Sequence, residues 1–141
     1  MRIEIYYHSD IERISLRENG DWLDLRAAEA VEFHAGEHKL ISLGVSLRLP
    51  AGYEAHVVPR SSTFKHWGLL QTNSPGIIDE SYCGLQDIWF FSALATRDTK
   101  VEKNDRICQF RLFKKMPPLE ICEVSHLSGA SRGGYGSSGK N

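Results

Sequence analysis

Residues 39–49, KLISLGVSLRL, set apolar Val45, Leu47 and Leu49 against polar Ser46 and Arg48. A period of two is the signature of a strand, whose successive side chains point to opposite faces, and it is incompatible with a helix. Similar short β-rich runs recur at 2–7 (RIEIYY), 53–58 (YEAHVV), 87–94 (DIWFFSAL), 107–113 (ICQFRLF) and 119–124 (LEICEV). The breaks hold Pro50, Gly52, Pro59, Pro75, Gly76, Gly84, Pro117 and Pro118, residues that turn the chain or end a ladder. Helical prospects are confined to residues 10–17 and a turn or two after Arg60. Many short strands with little helix predict an all-β sandwich or barrel.

A chain of 141 residues suffices for one domain with its own core, and 41% hydrophobic against 25% charged residues excludes the disordered class. The net charge of -1 excludes a general nucleic-acid binder, because no basic excess is available for a run of phosphates. A single phosphorylated small molecule remains compatible, since one site needs only a few local cations. Cys83, Cys108 and Cys122 are odd in number and form no CxxC pair, so a reducing, cytoplasmic setting is expected. The six histidines have no metal-ligand spacing. No apolar run approaches the roughly 18 residues of a membrane span, so no membrane partner is expected.

The segment SRGGYGSSGKN, 131–141, has a different composition from the rest. Five of the eleven residues from Gly129 to Gly139 are glycine, which suits a flexible arm and not an element interior. Gly134, Gly139 and Lys140 imitate a GxxxxGK phosphate loop, but that mechanism needs a strand before it and a helix after it. The expected organisation is a β domain over 1–128 and a terminal arm over 129–141.

Three stretches carry polar groups where turn chemistry alone would suffice. In PRSST, 59–63, Ser61 or Ser62 could cap a short helix, or Arg60 and the hydroxyls could face an anion. In NSPGIIDESYCG, 73–84, Pro75 and Gly76 turn the chain, Ile77 and Ile78 read as buried strand residues, and Asp79 emerges at the strand end. Tyr82 is then either a packing residue or an aromatic face for a sugar. In NDRICQF, 104–110, Gln109 alternates with Cys108 and Phe110 and so faces the other side of the sheet.

Taken in order, these stretches resemble the trimeric dUTP pyrophosphatase (dUTPase) family. The five matching motifs are GDWLDLRA at 20–27, PRSS at 59–62, NSPGIIDESYCG at 73–84, NDRICQ at 104–109 and RGGYGSSG at 132–139. Together they span about 120 residues of the chain, a far more specific signal than any single motif. The last motif is shorter than the common form, which points to a Bacillus- or phage-like variant. The resemblance implies a jelly-roll-like distorted β-barrel assembled as a homotrimer, with active sites at subunit interfaces. One chain would supply the second and fourth motifs, another the third, and the remaining one the terminal arm.

The implied reaction is dUTP plus water to dUMP plus pyrophosphate with Mg2+, lowering dUTP and supplying dUMP for thymidylate synthesis. Asp79 would hold the water that attacks the α-phosphorus. Arg60, Ser61, Ser62, Gln109, Arg132, Ser137 and Ser138 would bind phosphates. Asn73, Gly76, Ile78, Asp79 and Tyr82 would form the uracil and deoxyribose site. The resemblance gives the metal no direct protein ligand, and places Asp24 on it through a water. The aromatic over the base is Tyr135 in the first instance, with the Trp89–Phe91 run, through Phe90 or Phe91, as the alternative.

Several positions depart from the family pattern: Trp22 and Ser62 stand for glycines, Ser81 for an aspartate and Cys83 for an arginine. None removes Asp79, Arg60 or Arg132. Two other readings keep the same fold. A dCTP deaminase-type relative would need a proton-transferring group at C4 of cytosine, for which no separate signature is present. A nucleotide-sensing regulatory trimer that binds a protein partner would use the same nucleotide-binding residues.

Overall fold

The computed structural model describes residues 1–136 and 138–140. Its elements run β1 (Glu4–Tyr7), β2 (Leu23–Arg26), β3 (Val31–Phe33), β4 (His38–Ser42), β5 (Val45–Arg48), β6 (Tyr53–Pro59), α1 (Thr63–Trp67), β7 (Leu69–Gln71), β8 (Gly76–Ile78), β9 (Phe90–Ala95), β10 (Thr99–Val101) and β11 (Arg106–Lys114). Every ladder is antiparallel. The largest sheet has the order β2-β11-β6-β8; β4-β9-β7 forms a second, and the pairs β1-β5 and β3-β10 complete the fold. The all-β expectation holds. The strand pairings form four sheets around a shared core and do not close into one barrel among the described residues.

The core collects the inward halves of the alternating runs. Leu25, Ile41, Val45, Leu47, Val57, Trp89, Phe91, Ile107 and Phe110 are all buried, and Trp89 meets Phe110 edge to face at 5.2 Å. Each large side chain so buried contributes about 1.5–3 kcal/mol by removal of apolar surface from water.

The run 39–49 is two strands, not one. Gly44 turns the chain between β4 and β5 at φ 64°, where an added Cβ would lie 2.9 Å from that of Ala28. Expectations also fail at 10–17, which forms no helix, and at 119–124, which forms no strand. In the latter Leu119, Ile121 and Val124 are exposed, because no strand edge of the same chain receives them. Regular structure among the described residues ends at Lys114. Ile77, read as buried, is 48% exposed because strand alternation turns it to the face opposite Gly76 and Ile78, the latter packed on the core.

The helix after Arg60 is present as α1, closed by Gly68 in the left-handed region. Ser62 occupies its N-cap position but makes no capping bond with its side chain. The adjacent Thr63, fully buried, secures the loop instead. Its hydroxyl donates to the Ile107 carbonyl at 2.8 Å and accepts the Arg60 N–H at 2.9 Å. The start of α1 is thereby tied to β11.

Candidate active site

Three strands gather the first group of polar residues. Asp24 on β2 lies opposite Gln109 on β11, and Gln109 lies opposite Val58 on β6, two residues before Arg60. The Asp24 side chain is only 13% exposed and meets three guanidinium groups. Its Oδ1 is 3.1 Å from Arg60 Nε, an ion pair without hydrogen-bond alignment, and its Oδ2 lies 3.3 Å from Arg106 Nη1. Arg17 also pairs with Oδ2. Arg60 in turn donates through Nη1 to the Arg106 carbonyl at 3.2 Å. Three cations around one carboxylate leave two positive charges in excess, which suits a polyanion.

Gln109 is half-buried and donates its amide N–H to the Pro59 carbonyl at 3.2 Å, bracing the strand end that launches Arg60. Ser61 is exposed beside it and Ser62 half-buried. Arg60 and Arg106 line an open cleft of about 470 Å³ with His66, Trp67, Lys100, Glu102 and Asp105.

A second group lies around β8. This strand pairs with β6 through Gly76 to Val57, Ile77 to His56 and Ile78 to Ala55, and it is the outermost strand of its sheet. Its other edge therefore offers main-chain donors and acceptors. Asp79, exposed, follows at once. Ile77, Ile78, Asp79, Tyr82, Ile88, Trp89 and Phe90 enclose a cleft of about 220 Å³.

The Tyr82 hydroxyl donates to the Ile88 carbonyl at 2.9 Å, which consumes its polar end and holds the ring in place. Gly76 is buried in β8, while Asn73 is exposed in the preceding turn. Of the two candidate phenylalanines, Phe90 is 42% exposed at this cleft. Phe91 has no exposure and points into the core, a placement that prevents it from covering a ligand. The strand period of two puts these adjacent rings on opposite faces.

The tail forms a third group. Arg132, Tyr135 and Ser138 line a groove of about 410 Å³ made of tail residues alone, with Tyr135 fully exposed. Ser137 lies outside the described residues. The three groups do not form one site within a single chain. Asp79 follows the residue opposite Ala55, whereas Arg60 lies beyond the other end of β6; at about 3.3 Å per residue the separation along the strand is roughly 20 Å.

The dUTPase family model matches residues 14–139. The chain belongs to this family. A SPbeta prophage-derived deoxyuridine 5'-triphosphate nucleotidohydrolase of Bacillus subtilis, YosS, is 58% identical over 140 residues, 99% of each chain. The deoxyuridine 5'-triphosphate nucleotidohydrolase of Corynebacterium diphtheriae is 36% identical over 120 residues, covering 84% of this chain and 78% of that one.

Among solved dUTPase structures, that of Staphylococcus bacteriophage 80alpha with dUPNHPP superposes with a TM-score of 0.83 at 19% identity, covering 98% of both chains. A mutant dUTPase from phage phi11 of S. aureus, described with a structural Mg(II) ion, gives 0.77 at 16% identity, covering 92% of this chain and all of that one. At these identities the likeness establishes the fold.

Sequence reasoning missed four residues that line or brace these groups. Arg106 sits inside the NDRICQ motif, in which the family resemblance gives the phosphate role to Gln109. Arg17 lies in a segment that reads as helix, Thr63 stands beside two serines, and Lys115, which pairs with Glu80 next to Asp79, follows the last strand. The NDR triplet could have revealed Arg106; no pattern marks Arg17, whose part depends on a pairing with Asp24 across seven residues of irregular chain.

The donor set bears on metal chemistry. Among the described residues no three His, Cys, Asp or Glu side chains converge as a cage. Asp24 pairs with Arg60 and Arg106 and is already shared by three cations. This set fits a hydrated divalent cation that arrives on phosphate oxygens, with at most a water-mediated link to Asp24.

Proposed function

We propose that the protein is a dUTP diphosphatase that cleaves dUTP to dUMP and pyrophosphate at sites shared between copies of the chain in a homotrimer. The observation that carries the shared site is the separation of Asp79 from Arg60 along β6. A nucleotide cannot easily reach from one to the other within a single chain, so the nucleoside cleft of one copy faces the arginine cluster of another. The arm from residue 129 onward, with Arg132, Tyr135, Ser137 and Ser138, orders over a neighbouring copy's site when nucleotide is bound.

Uracil pairs with the free edge of β8 between Asn73 and Ile78. It presents a donor at N3 and an acceptor at O4, and cytosine reverses both. Against cytosine the main-chain groups would be left unpaired, a mismatch that can cost on the order of 10⁴ in selectivity. The ring of Tyr82 supports the deoxyribose and leaves no space for a 2′-hydroxyl. Phe90, already at the mouth of the cleft on a rigid strand, covers the base, and this placement favours it over Tyr135.

Asp79 holds a water in line with the α-phosphorus and accepts its proton as the new O–P bond forms. The bond to the bridging oxygen breaks, and pyrophosphate leaves with the electron pair. For this role the main requirement is the position of the carboxylate relative to the water and the α-phosphorus. Arg60, Arg106 and Arg132, with Gln109 and the serines 61, 62, 137 and 138, spread the negative charge of the triphosphate. Mg2+ bound to the phosphates supplies further charge neutralisation.

Pyrophosphate release from dUTP, dCTP, dTTP and UTP with and without Mg2+ tests the reaction; equal turnover of all four would overturn the specificity argument. Mixing separately inactive Asp79→Asn and Arg60→Met proteins, after dissociation and reassembly, tests the shared site. Recovered activity is expected, and no recovery in verified mixed assemblies would overturn it.

A further inference from the structure

Glu80 follows Asp79 directly, and both of its carboxylate oxygens are occupied. Oε1 accepts the Gly52 N–H at 3.1 Å and Oε2 accepts the Lys115 ammonium at 2.8 Å. Lys115 closes the ring through its own N–H, which donates to the Gly52 carbonyl at 2.9 Å. Three separate parts of the fold meet here: the end of β8, the turn before β6 and the exit of β11. Together with Glu54, Asp79 and Ser81, the pair lines a cleft of about 290 Å³.

We propose that the Glu80–Lys115 clamp, anchored on Gly52, is a positioning device for Asp79. The proposal rests on the assignment of Asp79 as the residue that holds the attacking water. β8 is a three-residue edge strand held on one side only, so its ladder leaves the residue after Ile78 poorly fixed. A local turn holds the Asp79 carbonyl through the Tyr82 N–H at 3.0 Å. The clamp adds the attachment to β11 and the turn before β6, one residue beyond Asp79, and sets the angle at which the aspartate leaves the sheet.

With side-chain exposures of 49% for Lys115 and 31% for Glu80, the ion pair is not a major source of stability. Its effect is geometric, and a displacement of about 1 Å at a reacting group can cost on the order of 10²-fold in rate. The surroundings agree with this arrangement: Glu80, then Asp79 and Glu54, hold the Lys115 ammonium in its charged form.

The test uses the assembled full-length protein. Lys115→Met should lower kcat for dUTP roughly tenfold while KM stays within about twofold, and Lys115→Arg should restore most of the loss. Glu80→Gln should lie between them, because an amide still accepts the Gly52 N–H but pairs only weakly with the ammonium.

Thermal unfolding and sedimentation of each variant accompany the kinetics. A kcat that tracks Tm or trimer content, or a Lys115→Met protein with wild-type kcat beside an inactive Asp79→Asn control, would overturn the clamp. If Asp79→Asn itself retained wild-type turnover, the assignment of Asp79 would fail, and the clamp proposal with it.

Discussion

The Asp24 carboxylate, on β2, lies 3.1 Å from the Arg60 guanidinium beyond β6, and the two are brought together across the intervening strand β11. This pairing joins the first motif to the second and gives Asp24 a task that does not require a metal. It holds Arg60, the arginine proposed to bind phosphate, and with it Arg106, in a fixed orientation.

Asp24→Asn should therefore weaken the use of dUTP even when Mg2+ is saturating. The expected loss in kcat/KM is about tenfold to a hundredfold, from arginines that must be ordered by substrate itself. Stability should fall by about 1–3 kcal/mol, below the cost of breaking a fully buried pair because Arg60 keeps 20% side-chain exposure. Steady-state kinetics at two Mg2+ concentrations and urea unfolding check this; a defect abolished by extra Mg2+ would assign Asp24 to the metal.

Phe90 and Phe91 should separate cleanly. Phe90→Ala is expected to raise KM for dUTP by about tenfold, in line with roughly 1–3 kcal/mol for aromatic stacking on a base, with little change in Tm. Phe91→Ala should cost about 3–5 kcal/mol of stability from the core cavity it creates. Tyr135→Ala should weaken binding less than Phe90→Ala. Isothermal titration with a non-hydrolysable dUTP analogue, beside thermal unfolding, reads both effects.

The clamp beside Asp79 sets a pH window. Hydrogen bonds from Lys115 and then Gly52 lower the Glu80 pKa, so its stabilising contribution is present above the usual carboxylate pKa and lost as pH falls through the lowered value. Glu80 raises the Lys115 pKa, so that contribution is present below the usual lysine pKa and lost as pH rises through the raised value. The Tm difference between wild type and Lys115→Met should be small and constant between about pH 5 and 10, and should shrink on either side. A difference that changes sharply near neutrality would contradict this pairing.

Removal of residues 131–141 should leave folding and assembly intact and abolish most turnover. No strand or helix lies beyond Lys114 among the described residues, so the deleted stretch contributes nothing to the ladders. Sedimentation and pyrophosphate release distinguish the outcomes; undiminished turnover would return the tail to the role of a passive terminus.

Much of the fold was legible because burial on one face of a sheet writes itself into the sequence at period two. Val45, Leu47 and Phe110 illustrate this, and β1, β6, β9 and β11 lie close to where the pattern places them. Three-residue strands such as β3, β7 and β10 escaped because so short a run carries no period. Residues 119–124 carry a strand pattern that no partner within the same chain satisfies.

Asp79 and Tyr82, neighbours in one sequence motif, line the same cleft beside β8, a proximity that the motif itself makes visible. The site was illegible where the role depends on distant partners. Thr63 acts through Ile107, Lys115 through Glu80, and Arg17 through Asp24, and sequence proximity records none of these pairings.

The length of β6 has a consequence for the cell. If the site is shared between copies as proposed, with its halves at opposite ends of that strand, the number of working sites depends on encounters between chains, so activity should fall more steeply than protein concentration on dilution. Below the assembly threshold a cell would hold folded polypeptide and almost no enzyme, and a modest change in gene dosage or translation would be amplified in the nucleotide pool.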